Sequence, residues 1–422
     1  MSSSDVRTQD TRRPCFYLTP MRPRDPEQPH RAATVLELFF DLVFVVAVST
    51  AGVQLHHALT EGHAGKGIGL YLMVFFTIWW AWMNFTWFAT SFDSDDWLYR
   101  LSTFVQMAGV LVLTAGISDV FEDRNFSIMA IGYVIMRVAM GAQWLRASRA
   151  KGREGRSALT YAIGILSAQV LWVIAAVVTS GHIPLWIFVV FVLVELSVPL
   201  VAEVTGGTPW HREHIAERYG LFTIIVLGES LLGSANAIIE ALDEGEHIGQ
   251  LIDVSIMTIV ISAGIWWIYF YPRHTERLSN SSILLSVRWG YAHYLIFASA
   301  GAFSAGIEAL VDYVTGSSEL SYVAVSLTVT VPVAVFILAI WAVAYPGTPR
   351  IVRTVIPIGA VVTVASTWVP VPIAGVAVVI VAMVVVLVCN PVDGEDDTDH
   401  ERKADKQEVA EHETNKVNEA RS

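Results

Sequence analysis

The chain has 422 residues, 54% of them hydrophobic and only 16% charged, with a net charge of −12. A soluble domain carries roughly a quarter charged residues, so the deficit names lipid as the solvent and excludes a soluble globular class. The acidic balance, bunched in short loops and after Asn390, excludes nucleic acid as a partner.

Residues 1–33 read as a polar cytoplasmic arm with Arg12, Arg13, Arg22, Arg24 and Arg31. The arm shows no apolar leader, so insertion falls to the first spanning helix. Cys15 lies in this arm and Cys389 closes the last apolar run, which excludes a disulfide framework. A spanning helix needs about 20 mainly apolar residues. Windows of that kind fall at 34–56, 68–91, 98–118, 126–145, 157–178, 183–203, 219–241, 251–271, 284–309, 320–345, 351–369 and 371–389. The predicted fold is therefore all-α, a polytopic membrane protein of about twelve spans. The last two windows meet at VPVP around Pro370 and read either as two crossings or as one broken span. Residues 391–422 are polar and repeat-free, a disordered acidic cytoplasmic tail by composition.

Lys and Arg in short loops set the orientation. From the arm onward every second loop is basic: RASRAKGREGR, then Arg212 and Arg218, then Arg273, Arg277 and Arg288, then Arg350 and Arg353. The intervening ALDEGEHIGQ and ALVDYVTGSSEL have neither residue, and only FDSDDWLYR is ambiguous. The pattern places both ends in the cytoplasm of a multi-pass inner-membrane protein.

A duplication is also legible. IWWAWMNF from Ile78 matches IWWIYFYP from Ile265, TAGISDV from Thr114 matches SAGIEAL from Ser304, and ELFFDLVFV in span one aligns with GLFTIIVLG in span seven. Six spans per half is an even number, so residues 34–205 and 206–390 would be parallel six-helix repeats, with a site expected between them.

Ionisable groups inside spans are costly and mark function or pairing. Glu37 and Asp41 share a face of span one, Arg137 sits in the middle of span four, Glu195 in span six and Glu229 near the middle of span seven. Glu229, Gly233, Asn236 and Glu240 follow helical spacing. His293 on span nine is a further titrating candidate, on a span whose small residues FASAGAFSAG suit close packing. Plainer roles stand beside these: Arg137 and an acidic partner as a register-fixing ion pair, and Glu37 and Asp41 as caps partnered by Arg218 or His214. The aromatic run FFTIWWAWMNFTWF reads as packing or as a cage for a cation or apolar ligand. HREH offers His211 and His214 at a spacing other than HExxH, and His56, His57 and His63 cluster on the outer side. An amphipathic interfacial helix explains the first more simply than a metal, and no metal or cofactor is expected. No P-loop, GxSxG or dinucleotide fingerprint is present.

ELFFDLVFV at Glu37–Val45, IWWAWMNFTWF in span two and HIAERYGLFTIIVLGES at His214–Ser230 resemble the bacterial low temperature requirement protein A family, over roughly residues 31–390. That resemblance implies a membrane-embedded protein needed for growth in the cold. By position, the family's signature residues correspond to Glu37, Asp41, His214, Glu217, Arg218, Glu229 and Ser230.

These readings combine into one expectation. A secondary transporter or permease, proton-coupled and acting on a small solute, would use Glu37, Asp41, Arg137, Glu195, Glu229, Ser230, Asn236 and His293 around a shared cavity. His214, Glu217 and Arg218 would form its cytosolic gate. The alternatives are a membrane-embedded enzyme acting on a lipid or lipid-linked substrate and a membrane sensor or scaffold. Partners would be the lipid bilayer and the solute, with a homo-oligomer left open.

Overall fold

A computed structural model describes residues 18–28, 31–244, 247–279 and 283–392. Cys15, the tail beyond Val392 and the side chain of Glu240 lie outside the described residues. Among the described residues there are helices and no strands. In order they are α1 (Val35–Thr60), α2 (Ala64–Phe92), α3 (Trp97–Ala115), α4 (Ile117–Asp123), α5 (Ser127–Ala147), α6 (Arg153–Val178) and α7 (Leu185–Thr205). There follow α8 (Arg212–Glu244), α9 (Ile248–Phe270), α10 (His274–Ser279), α11 (Ile283–Thr315), α12 (Tyr322–Ala344), α13 (Arg350–Ala365) and α14 (Pro372–Cys389).

Eleven segments among the described residues are long and apolar enough to cross a membrane. The expected span at 219–241 lies inside α8, where Glu229, Ser230, Ser234 and Asn236 dilute the apolar run. At 33 residues, α8 is about 50 Å long against a hydrocarbon core of about 30 Å. The final two windows are separate helices, because a short 3-10 turn at Ser366–Trp368 ends α13 and Pro372 opens α14. Proline suits that first turn, where its missing N–H is not needed.

The first turn of α1 is set by a capping box: Glu37 N–H donates to Thr34 Oγ1, and Glu37 Oε2 accepts from Thr34 N–H at 2.7 Å. The sequence thus starts this helix at Val35 and fixes the rotamer of a carboxylate that also faces the protein interior.

Helix α2 is the most enclosed span, with Trp79, Trp80, Trp82, Phe85 and Phe88 at 0–1% exposure. Lipid is as apolar as these side chains, so close packing and hydrogen bonds hold the helices together rather than water exclusion. Small residues permit that approach. A Cβ on Gly132 would run into the Leu113 backbone across the α3–α5 contact, and one on Gly306 into Thr328 across α11–α12. The small-residue run on α11 therefore packs as its composition suggests.

Helix neighbours in the first part of the chain are α1–α2, α1–α3, α3–α5, α5–α6 and α6–α7. In the second they are α8–α9, α8–α11, α11–α12, α12–α13 and α13–α14, which correspond pair by pair, together with an α9–α14 contact that has no comparable counterpart between α2 and α7. The two sets meet through α1 and α2 against α8 and α11. Tyrosines fasten that seam: Tyr71 donates to the Ala298 carbonyl at 2.8 Å, Tyr294 to Leu72 at 2.8 Å and Tyr291 to Leu196 at 2.9 Å.

Candidate functional site

The acids Glu37 and Asp41 lie one turn apart on α1, and His214 and Arg218 lie one turn apart on α8, so each pair shares a helix face. The two faces meet. Arg218 Nε donates to Asp41 Oδ2 at 3.0 Å and its Nη2 to Oδ1 at 2.5 Å. Arg218 Nη1 stands 3.0 Å from Glu37 Oε1, and His214 Nε2 stands 3.1 Å from the same oxygen. Neither contact has hydrogen-bond alignment; the Arg218 one attracts by charge, and the His214 one does so when its imidazole is protonated. Trp82 of α2 completes the group, donating its indole N–H to Asp41 Oδ1 at 2.7 Å. Side chains in this network are at most 1% exposed. Two carboxylates face one guanidinium, so the group keeps a surplus negative charge unless a proton resides on His214 or on an acid.

Sequence reasoning foresaw His214 and Arg218 as partners of these acids, and the structure brings all four together. It adds Trp82, whose role as a donor is concealed in an aromatic run that reads as packing. Glu217 meets span one differently, accepting from the Ala33 N–H at 3.0 Å.

A second ion pair lies within the first part of the chain. Arg137 of α5 bonds Glu195 of α7, and Trp80 Nε1 donates to Glu195 Oε2 at 2.9 Å. The Tyr133 ring lies 5.5 Å from the Arg137 guanidinium carbon. Trp80 and Trp82 are about 200° apart around α2, so this helix stands between the two ion pairs and donates to an acid on either side. Arg137 therefore serves Glu195, not Asp41 or Glu229.

The remaining candidates fall elsewhere. Glu229 is half-buried on α8. One turn on, a Cβ at Gly233 would lie 3.3 Å from Glu308 of α11. Glu308 and Asp312 both reach His56, at 3.5 and 2.7 Å. This acid–histidine group, at the end of α1 opposite Glu37, escaped notice because its members are more than 250 residues apart, with 256 between His56 and Asp312. Ser230 contacts Ser262 of α9 at 3.1 Å. Asn236 is exposed. His293 is fully buried among aromatic rings, with Tyr269 Oη 3.1 Å from its Nε2. Glu37, Asp41, Arg137, Glu195, Glu229 and His293 thus occupy separate groups rather than one space.

The HREH histidines divide as well. His211 Nε2 bonds the Gln28 carbonyl at 2.7 Å while His214 turns to Glu37. No three His, Cys, Asp or Glu side chains among the described residues group as a metal centre needs. His211 instead fastens the arm, whose described residues 18–28 and 31–33 make several contacts with the helices. Arg24 pairs with Asp93 at 2.9 Å, Thr19 N–H donates to Asp96 at 3.1 Å, and Arg146 bonds both Asp96 and the Thr19 carbonyl. Arg31 donates to the Ala89 carbonyl at 2.7 Å, and burial pushes its guanidinium down to about 10, so it stays charged. Burial works against the Asp96 charge, but hydrogen bonds from Arg146 and from the Tyr99 and Thr19 N–H groups outweigh it and hold the carboxyl below its usual range. The ambiguous loop FDSDDWLYR is acidic because basic residues of the arm and of α5 neutralise it.

A cavity of about 30 Å³ lies at the seam on the arm side, bounded by α2, α5, α6, α7 and α11 and the loop after α7. That is room for about two waters. Trp87 on its wall donates to Tyr219 Oη at 3.0 Å, so the residue after Arg218 touches the cavity wall.

The model of the bacterial low temperature requirement A protein (LtrA) family matches residues 32–389. A curated relative, "Uncharacterized protein RA0937" of Rhizobium meliloti (strain 1021), is 29% identical over 251 residues, 57% of this chain and 58% of that protein. The match thus spans less than two thirds of the relative. With a family match over nearly the whole helical region, this multi-pass membrane protein belongs to the LtrA family.

Proposed function

We propose that this protein is a secondary transporter or permease for a small solute, with the α1–α8 charge network as its gate on the arm side. Both ends would lie in the cytoplasm of a cell membrane, and the halves 34–205 and 206–390 would be parallel repeats. Five corresponding pairs of helix neighbours support the duplication, while the α9–α14 contact sets the second half apart. The observation that carries the reading is the buried network itself: Glu37 and Asp41 belong to one half, His214 and Arg218 to the other. Such a contact joins the halves in one state and must break if they rock apart, as alternating access requires. Its surplus negative charge suits a proton as the coupling ion, with His214 or an acid as the carrier. Glu229, beside Glu308 and the His56–Asp312 pair, would supply the titrating group toward the opposite side. Arg137 and Glu195 would hold α5, α7 and α2 as one body.

Cysteine labelling tests the gate without knowledge of the solute. Ser286→Cys places a thiol on the cavity wall, in a background where Cys15 and Cys389 are serine. An impermeant maleimide applied to the cytoplasmic face should label it several-fold faster when Arg218→Met removes the latch. An unchanged rate in protein that still elutes as a single folded species would sink the gate.

One observation favours a scaffold for cold-stressed membranes instead, namely that the charged groups are paired separately in tight packing. On that reading Asp41→Asn with Arg218→Met would support growth in the cold like the parent, whereas a gate would not survive the pair.

A further inference from the structure

The fully buried acids of the spans each face a base: Glu37 and Asp41 face Arg218, and Glu195 faces Arg137. Glu203, near the end of α7, is different. Its Oε1 accepts from Tyr161 Oη at 2.9 Å and Thr208 Oγ1 at 2.6 Å, and its Oε2 from the Thr208 N–H at 3.0 Å. Among the described residues no Lys, Arg or His lies within ion-pair distance of it. Three neutral donors orient this half-buried carboxylate without cancelling its charge.

The surroundings of Glu203 are equally specific. It lines the seam cavity together with Trp87, Trp144, Tyr161, Trp210 and Tyr291. Trp144 stacks on Tyr161 with centroids 4.1 Å apart, and Trp87 and Trp210 lie 5.3 Å apart. Trp144 is 2% exposed and its indole N–H has no partner among the described residues. Aromatic faces attract a cation through their quadrupole, most strongly where water is absent. A carboxylate with no resident counter-charge set in an aromatic wall recognises positive charge on an apolar body.

From this arrangement we infer that the seam cavity is a binding site for a small alkylated ammonium ion, with Glu203 as its counter-ion. The inference deepens the transport reading by naming the substrate class, and it rests on that reading for any movement of the ion. A carboxylate offers about four acceptor positions, and three on Glu203 are taken. A metal ion or primary amine needs more oxygen ligands or acceptors than remain, whereas a trimethylammonium group needs none. The cavity as it stands admits about two waters, less than a trimethylammonium group needs, so entry requires the wall to move. Thr208 and Trp210 sit on the loop after α7, which turns at Gly207 with φ +79°. A shift of that loop widens the cavity and loosens two of the donors to Glu203.

Full-length purified protein in nanodiscs tests the inference, with choline as the probe and 3,3-dimethyl-1-butanol as its uncharged isostere. Choline should quench tryptophan fluorescence saturably and raise the melting temperature, and the isostere should do neither. Glu203→Gln, which can still accept from Tyr161, should weaken the response by about tenfold or more. Trp210→Leu, a half-buried loop position, should weaken it by about tenfold without lowering the melting temperature of the unliganded protein. No saturable response up to roughly tens of millimolar choline overturns the site, as does an equal response to the isostere or undiminished binding by Glu203→Gln. Binding at equilibrium is read without transport. A positive result with Ser286 labelling indifferent to Arg218 would keep the site and remove the gate; the converse would keep the gate and remove the site.

Discussion

Removing Arg218 is the sharpest perturbation of this structure. Arg218→Met keeps most of the side chain's length and deletes two hydrogen bonds to Asp41, at 3.0 and 2.5 Å, and the 3.0 Å contact with Glu37. What remains is two carboxylates one turn apart, each at most 1% exposed, with Trp82, Thr34 and His214 facing them and Arg31 the charge still near Glu37. Breaking a buried pair by removing one partner costs about 3–5 kcal/mol, because the surviving charge is stranded. For a chain of this size that corresponds to a fall in melting temperature of roughly 3–6 °C. Arg218→Lys should recover little, since a point charge cannot reach both oxygens of Asp41 and the oxygen of Glu37 as a planar fork does. The diagnostic variant is Arg218→Met combined with Asp41→Asn and Glu37→Gln. With the stranded charges gone, most of the loss should return, so the effects are strongly non-additive. The assay is thermal unfolding of detergent-solubilised protein followed by size-exclusion fluorescence. An Arg218→Met protein melting within about 1 °C of the parent, or strictly additive effects, would refute a buried ionic network at α1–α8.

Two further outcomes follow from packing and protonation. His274, on α10 outside the spans, is held neutral: burial pushes its imidazole down to about 4, against an ordinary value near 6.5. Between those values the unfolded chain takes a proton that the folded chain refuses, so stability is full above about pH 6.5 and falls as pH drops toward 4, by about 3 kcal/mol in all. Melting curves across pH 7.5 to 4.5 (roughly this window) should be flatter for His274→Gln than for the parent. Gly132→Val should destabilise by at least about 1–3 kcal/mol, since its Cβ meets the Leu113 backbone. Gly65→Val, where nothing lies within 4 Å, is the control that should melt like the parent.

Span positions were legible from the sequence because hydropathy reports a property of each segment alone: a helix in lipid satisfies its own backbone and needs only sufficient apolar length. The same local logic exposed Glu37, Asp41 and Arg137 as groups that must find partners, and placed Glu37 with Asp41, and His214 with Arg218, on common helix faces. Partner choice was not local. Arg137 could have answered Glu195, Asp41 or Glu229, and only the tertiary arrangement that points α5 and α7 side chains at Trp80 of α2 decided for Glu195. Trp80 and Trp82 read as bulk in the sequence, yet each donates to an acid on opposite sides of α2. Glu203 shows the limit most clearly. Its significance lies in what is absent around it, a base, and in aromatic rings drawn from four helices and a loop. Hydrogen-bond and charge energies fall off over a few ångströms, so they depend on distances that helix packing sets and that sequence spacing leaves undetermined.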